Sequence, residues 1–478
     1  MVQKVALIFD CGATNVRVIA VDSHGNIVAK ASVENATECG AENPQWHIWS
    51  LEQILQRFQT CCHEINDSLH HYHISGMAVT TFGVDGALVN AQGDMLYPII
   101  SWKCPRTQAV MEKIESYLSA QELQEISGIG QFSFNTLYKL IWLKENHPEL
   151  LNNAHAWLFI SSLITHKLTG VMTTDRTMAG TSQLFDLKTG EPSERILASV
   201  GLDASLFPPV ISAGEQIGVL LPEIAQWLGL PAHIPVFSAG HDTQFALLGS
   251  GAEQNQPVLS SGTWKILMVR TEQVDTHLLP QYPGSTCEFD ACAGLYNPGL
   301  QWLASGLLER VRQLFWPQHS VPDVYEQMIA EAMQVTPGCH DLRMNASLFT
   351  PEAGWTGMSL SSERHHFYRS ALEGLALTLR RNLTLLEQIG GFTTSEVVLV
   401  GGGSKNRLWN QIKADMLNLP IKVLSQAETT VIGAACFVWY GLGLEATPEA
   451  VRASFNYPYD DYQPSEHQTD YHALFYPH

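Results

Sequence analysis

Four short stretches of this chain have residue types and spacings that could do chemistry. The first is Gly240-His241-Asp242, which closes the apolar run Ile234-Pro235-Val236-Phe237. An apolar run that ends in small and polar residues is how a buried strand meets a site. A carboxylate there can take the proton of an alcohol while a phosphoryl group moves onto its oxygen. Asp242 also reads as the cap of a helix that starts at Thr243, and His241 reads either as a partner for a sugar hydroxyl or as a satisfied interior histidine. The second stretch is Ser260-Ser261-Gly262-Thr263, after the run Pro257-Val258-Leu259. It offers backbone N–H groups and hydroxyls of the kind that hold phosphate. The third is its echo near the start, where Lys4 to Phe9 leads into Asp10, Gly12, Thr14, Asn15 and Arg17. Gly12 permits close backbone approach, Thr14 and Asn15 supply donors, and Asp10 is suited to orient Mg²⁺ through its water shell. The bland alternative is an ordinary turn held by Asx and Thr hydrogen bonds.

The fourth stretch is Gly401-Gly402-Gly403-Ser404, which joins the buried run Glu396 to Val400 to a helix, with Ser404 as the expected cap. Glycines allow flat contact with an adenine ring, and a helix N-terminus favours anions; such joints also serve packing alone. Gly83-Val84-Asp85-Gly86 ends one more strand. There Asp85 could accept bonds from sugar hydroxyls, or be a turn aspartate. Trp102 and Trp264 lie beside these motifs and read as core or as a substrate wall. No GxxxxGK[ST] occurs, and no GxGxxG follows a strand, so the phosphate site is neither a Walker loop nor a dinucleotide fingerprint.

The elements that must position these residues follow from pattern. Residues 4–33 read as a three-stranded meander, Leu51 to Leu69 as an amphipathic helix, Ile74 to Thr81 as a strand, and 107–170 as mainly helical. Val210 to Leu220 reads as loop. Leu300 to Phe315 reads as a helix, and Arg364 to Ile389 as a long one stopped by Gly390-Gly391. The hairpins at Gly12 and Gly262 lie about half a chain apart, which suggests two domains of one design. The expected division is 1–246 for a sugar-binding and phosphate-hairpin domain and 247–478 for a nucleotide-binding domain.

Composition narrows the class. The chain has 478 residues, 45% hydrophobic and 15% charged, with a net charge of −20. That is globular, large enough for two cores, and unsuited to a broad nucleic-acid surface. No run approaches about 18 apolar residues, and nothing resembles a signal segment. The nine cysteines are odd in number and form no CxxC pair, which fits a reducing cytoplasm.

Taken in order, DCGATNVR, TFGVDG, SAGHDTQFA, LSSGTW, GWTGMSL, LVGGGSKNRLWNQIKADML and ETTVIGAA resemble the FGGY carbohydrate kinases over about residues 4 to 442. The resemblance implies an α/β fold of two actin-like, ribonuclease-H-like ATPase domains around a central cleft holding ATP and a sugar. It implies Asp242 as the base toward the sugar hydroxyl. Asp10, Gly12, Thr14, Asn15 and Arg17 would face the phosphates from the first domain, and Gly262 and Thr263 from the second. Gly402, Gly403 and Asn406 would line the adenosine, while Gly83, Asp85, His241 and Trp102 would face the sugar. ATP, Mg²⁺ or another divalent cation, and a small sugar are the implied partners, with no nucleic acid and no membrane; assembly with identical chains stays open. One departure stands out: Cys104, in Trp102-Lys103-Cys104-Pro105-Arg106, replaces an aspartate that many members carry two residues after the aromatic.

Overall fold

The structure, a computed structural model, describes residues 2–262, 264–317, 323–346 and 353–475. The chain forms two compact units. The first contains Met1–Gly251, Thr276–Asn297 and Glu428–Asn456; the second contains Ala252–Asp275, Pro298–Ala427 and Tyr457–His478.

The first unit is built on a sheet of β1 (Gln3–Cys11), β2 (Asn15–Asp22), β3 (Ile27–Glu34), β4 (Tyr72–Thr81), β5 (Gln216–Val219) and β6 (Pro235–His241). Their order is β5-β6-β4-β1-β2-β3. The meander β1-β2-β3 is antiparallel, β4 and β6 run parallel to β1, and β5 is antiparallel to β6. Val5 to Phe9 are at most 1% exposed. An uninterrupted apolar run of this kind is what a central strand covered on both faces requires. Helix α1 (Leu51–Leu69) starts at Ser50, whose Oγ accepts from the Gln53 N–H, and buries Ile54, Phe58, Cys62 and Ile65. Phe58 stacks on Phe9 at 4.7 Å between ring centroids. Burying one such ring stabilises by about 1.5–3 kcal/mol. Val210 to Leu220 departs from its loop-like reading, because Gln216–Val219 adds an edge strand to β6. Backbone pairing decides that segment, since it carries too few apolar residues to announce a strand.

β6 leads directly into helix α2 (Asp242–Gly249). The second unit repeats the sheet. Its strands are β7 (Val258–Ser261), β8 (Trp264–Met268), β9 (Tyr296–Leu303), β10 (Val397–Val400), β11 (Ile421–Leu424) and β12 (Tyr459–Tyr462), in the order β12-β11-β10-β7-β8-β9, and the strand Ser285–Phe289 adds a seventh beyond β9. β7-β8-β9 is an antiparallel meander, β10 and β11 run parallel to β7, and β12 is antiparallel to β11. Over these six labelled strands the topology is that of the first unit, and the seventh strand has no counterpart there. Leu300 to Phe315 is therefore part strand and part helix: β9 pairs with β8 through Leu303, and the helix runs Ser305–Phe315. The apolar spacing of Leu300, Leu303, Leu307 and Leu308 fits a helix by coincidence, and sheet pairing takes the first two.

Helix α3 (Arg364–Gly390) lies in the second unit and ends at Gly391, whose φ of 63° suits the left-handed cap. Helix α4 (Arg407–Leu417) is capped by Asn406, whose Oδ1 accepts from the Trp409 N–H at 3.0 Å. Ser404 is not the cap, because Gly402–Lys405 forms a tight 3-10 turn first. Helix α5 (Thr429–Gly441) packs in the first unit, on α2. The two helices cross at glycines: a Cβ on Gly249 would lie 1.8 Å from the Thr429 carbonyl oxygen, and one on Gly433 would lie 1.8 Å from that of Phe245. No helix among the described residues is long and apolar enough to cross a membrane.

Candidate active site

In the first unit, strand register gathers the chemistry. β1, β4 and β6 run parallel, with Asp10 opposite Thr80, and Gly240 and His241 opposite Thr80 and Thr81. Their carboxyl ends therefore share one edge, the place where open α/β sheets bind ligands. Asp10 is buried. Its Oδ1 accepts from Thr80 Oγ1 at 2.9 Å, and its Oδ2 accepts from Arg17 Nε at 2.9 Å and Nη2 at 2.6 Å. Arg17 also pairs with Glu428. At the tip between β1 and β2, the Gly12 N–H bonds the Asn15 carbonyl at 2.8 Å, and a Cβ on Gly12 would sit 2.9 Å from that oxygen. Glycine keeps the turn tight, while Thr14 and Asn15 stay exposed.

α2 begins at Asp242 itself, one residue earlier than a cap at that position would give. The Asp242 carboxylate is 33% exposed and accepts from Thr243 Oγ1 at 3.3 Å. Desolvation raises its pKa; the neighbouring His241 opposes that, and the Asp10 charge adds to it. His241 Nδ1 lies 3.1 Å from Glu288 Oε2, and its Nε2 lies 3.5 Å from Asp242 Oδ1. Burial pulls the imidazole down, but Glu288, Asp242 and Gln244 together outweigh it, leaving a pKa of about 9. The backbone beneath is equally fixed. The His241 N–H donates to Thr177 Oγ1 at 2.9 Å, and Thr177 Oγ1 donates to Asp175 at 2.8 Å. Gly240 has φ 141°, and a Cβ there would fall 2.1 Å from the Asp175 carboxylate, so only glycine fits.

Gly83 lies against the imidazole: a Cβ there would be 2.9 Å from His241 Nε2. The next residue, Val84, has φ 64°, a strained conformation for a β-branched side chain. Its N–H donates to Thr181 Oγ1 at 3.1 Å, and its carbonyl accepts from Thr136 Oγ1 at 2.8 Å and Lys139 Nζ at 3.0 Å. Asp85 differs from the reading as an open sugar acceptor. It is fully enclosed, accepting from Trp49 Nε1 at 2.7 Å and the Trp102 N–H at 3.1 Å, and pairing with Lys139. Its carboxylate thus anchors the loop that presents Trp102, which is 37% exposed. Cys104 is buried and accepts from Arg106 Nε at 3.1 Å, inside that loop.

In the second unit, Ser261, Gly262, Gly402, Gly403, Asn406 and Trp409 line one pocket of about 510 Å³. Four of the residues singled out from sequence thus meet around a single cavity. Thr263 lies outside the described residues. Gly401 has φ 92° and passes against the Ser261 backbone, and a Cβ on Gly403 would lie 2.3 Å from Ser261 Oγ. Asn406 Nδ2 donates to Tyr368 Oη at 2.9 Å, and Tyr368 also lines the pocket. Behind the wall, Lys265 donates to Ser261 Oγ and stands 4.1 Å from the Trp409 ring centroid. Desolvation lowers its pKa to about 7.

Sequence reasoning missed Glu288, Glu428, Lys139 and Thr181. Lys139 did carry a signal, a lone lysine inside the apolar helix segment TLYKLIWL, which demands a buried partner. Glu288 carried none, being one residue of a short alternating strand.

The repeated sheet and these two sites define a two-domain, actin-like sugar kinase fold. A xylulose kinase from Rhodospirillum rubrum superposes with a TM-score of 0.87 at 22% identity, covering 99% of this chain and 98% of its own. The glycerol kinase of Plasmodium falciparum, solved with ADP, gives a TM-score of 0.87 at 18% identity, covering 99% and 97%. Residues 5–249 match the FGGY family of carbohydrate kinases, N-terminal domain, and residues 258–441 match its C-terminal domain; the chain belongs to that family. The L-fuculokinase of Escherichia coli strain K12 is 61% identical over 97% of this chain and 98% of its own length. That of Haemophilus influenzae is 44% identical over 92% and 96%. A rhamnulokinase of Bacteroides thetaiotaomicron is 30% identical over 81% and 80%.

Proposed function

We infer that this chain transfers the γ-phosphoryl group of ATP to the C1 hydroxyl of L-fuculose, giving L-fuculose 1-phosphate and ADP. The observation that carries the substrate is the 61% identity with an L-fuculokinase along nearly the whole of both chains. In this reading the C1 oxygen attacks the γ-phosphorus, the bond from that phosphorus to the ADP oxygen breaks, and the hydroxyl proton passes to the Asp242 carboxylate. Asp242 suits the role: it is partly exposed, and it stands where β6 ends.

The remaining roles are assigned on the same basis. Gly12, Thr14, Asn15 and Arg17 of the first hairpin, and Gly262 and Thr263 of the second, hold phosphate oxygens. Gly402, Gly403 and Asn406 hold the adenosine, in keeping with the pocket they share. Gly83, His241 and Trp102 face the sugar, and Asp85 acts through the Trp102 loop that it anchors. In this reading the first unit, which takes Thr276–Asn297 and Glu428–Asn456 in addition to the residues up to Gly251, serves the sugar, and the second serves the nucleotide. Mg²⁺ or another divalent cation would neutralise phosphate charge when bound. Asp10 fits it through water, because Arg17 and Thr80 already occupy both of its oxygens. Among the described residues no three His, Cys, Asp or Glu side chains are grouped to hold a metal alone, which suits a cation that arrives with ATP. The setting is the cytoplasm, where ATP and free thiols coexist.

The test is ADP release with Mg-ATP against L-fuculose, L-rhamnulose, D-xylulose, D-ribulose and glycerol. A strong preference for L-fuculose is expected. Preference for another ketose would keep the chemistry and move the substrate, and no sugar-stimulated ADP would overturn the assignment.

A further inference from the structure

We propose that Glu288 is a positioning residue for the transfer: it holds His241 as an imidazolium beside the Asp242 carboxylate. The inference rests on Asp242 as the base and adds a residue from a distant segment of the chain.

The argument starts from hydrogen-bond capacity. Glu288 lies on the strand Ser285–Phe289, where Cys287 and Phe289 are buried and Glu288 alternates to the other face. Its Oε2 faces His241 Nδ1 at 3.1 Å and also accepts from Gln244 Nε2. The other ring nitrogen, Nε2, faces Asp242 Oδ1 at 3.5 Å. Both ring nitrogens therefore meet carboxylate oxygens. A neutral imidazole has one N–H, so one of its lone pairs would confront an anion; the imidazolium has two N–H groups and suits both. Gly83 lies against Nε2, and the His241 N–H is tied to Thr177.

The charged groups that act on His241 agree. Glu288 comes from its strand, Asp242 from the start of α2, and Asp175 from the turn before the short helix Arg176–Ala179. All three are acidic, and the Gly83 turn brings no charge. The imidazole is accordingly held up at about 9 despite burial. The cation in turn opposes the desolvation that raises Asp242, which keeps that carboxylate able to accept a proton near neutral pH. Removing Glu288 takes away the first of the groups that hold the imidazole up against burial.

The experiment uses the full chain and two readouts. kcat/KM for L-fuculose is measured from pH 5.5 to 10 in the parent, Glu288→Gln and Glu288→Asp. The parent should lose activity as pH rises through about 9. Glu288→Gln should move that alkaline limb down by about two pH units or more, while Glu288→Asp keeps it high. A uniform fall with both limbs unmoved would reduce Glu288 to a structural role and overturn the proposal. Independently of any sugar, the His241 ring is titrated by NMR in the free parent protein, with His241→Gln to assign its signal. A ring that titrates near or below the ordinary histidine range overturns the proposal even if Glu288→Gln does not fold. A raised titration with no L-fuculose turnover would leave the imidazolium standing and reject the substrate instead.

Discussion

The two units repeat one sheet but load it differently, most clearly at their first hairpins. In the first, the cross-strand pair Asp10–Arg17 is an ion pair, extended to Glu428. One strand pair from the tip of the second, Ser260 stands opposite Ile266 and carries no charge. Cations do occur there. Lys265 and Lys413 are at most 2% exposed, yet their nitrogens lie over the Trp409 ring and bond Ser261 and Asn410. One copy of the design pairs its buried charges around a carboxylate that is left partly open. The other lines a pocket with Ser261, Gly402, Gly403 and Trp409 as well as Glu309, Glu326 and Lys405, and holds Lys265 and Lys413 behind the Trp409 ring. A shared topology fixes where a site can be, and the side chains at equivalent positions decide which half of a reaction it serves.

The sharpest way to break this division is to remove the acid. Asp242→Asn keeps size and shape but cannot take a proton. Turnover should fall by about 10³-fold, within the usual range for a lost general base. ATP binding, read by calorimetry, should stay within about twofold of the parent, because the pocket residues lie in the other unit. Unchanged turnover would refute Asp242 as the base, and a parallel loss of ATP binding would refute the separation of labour.

The reciprocal change belongs to the second unit. A Cβ on Gly403 would lie 2.3 Å from Ser261 Oγ, and Lys265 holds that hydroxyl in place. Gly403→Ala should therefore push the turn into the pocket and raise KM for ATP about tenfold, or about 1.4 kcal/mol, with KM for the sugar unchanged. Gly402 has open space around it, so Gly402→Ala should change KM for ATP less than about threefold. Equal effects at both positions would mean that the turn is not held against Ser261.

Much of this was legible in the sequence because backbone demands leave marks. A glycine at Gly12, Gly240 or Gly403 is required by close approach, and apolar runs that end in polar residues mark strand ends at a sheet edge. The strand ends and the repeated hairpin followed from those marks, while the grouping of Gly262, Gly402, Gly403 and Asn406 came from the family resemblance. What stayed hidden depends on segments far apart in the chain. Glu288 and Glu428 reach the first unit from beyond residue 275, and nothing in their neighbours predicts a partner at His241 or Arg17. Asp85 was hidden in the same way: its type and turn left a sugar acceptor and a turn aspartate both open, and the lysine in the helix Thr136–Asn146 and the two tryptophans that bond its carboxylate lie elsewhere in the chain. β9 was misread because helical spacing over a few leucines cannot exclude a strand.

The smallest expected effect tests the charge contrast itself, through stability. His241 has a raised pKa in the fold, so its contribution is complete below about 6.5 and is lost as pH rises through about 9. Lys265 is lowered to about 7, so the fold binds fewer protons there than the unfolded chain does. Its cost is absent above about pH 10.4, grows as pH falls, and is complete below about 7. The two slopes oppose each other between pH 7 and 9. Lys265→Met removes one of them while filling much the same space. The apparent melting temperature of the whole chain should rise by about 2 °C or more near pH 6.5, with the gain shrinking toward zero by about pH 10. Lys413, lowered by burial as well, still adds a slope of the same sign as that of Lys265, so the His241 contribution is read as the part of the remaining pH dependence that Glu288→Gln removes in the double variant. A gain that is the same at every pH would mean that packing, not an unpaired buried charge, is what the lysine costs.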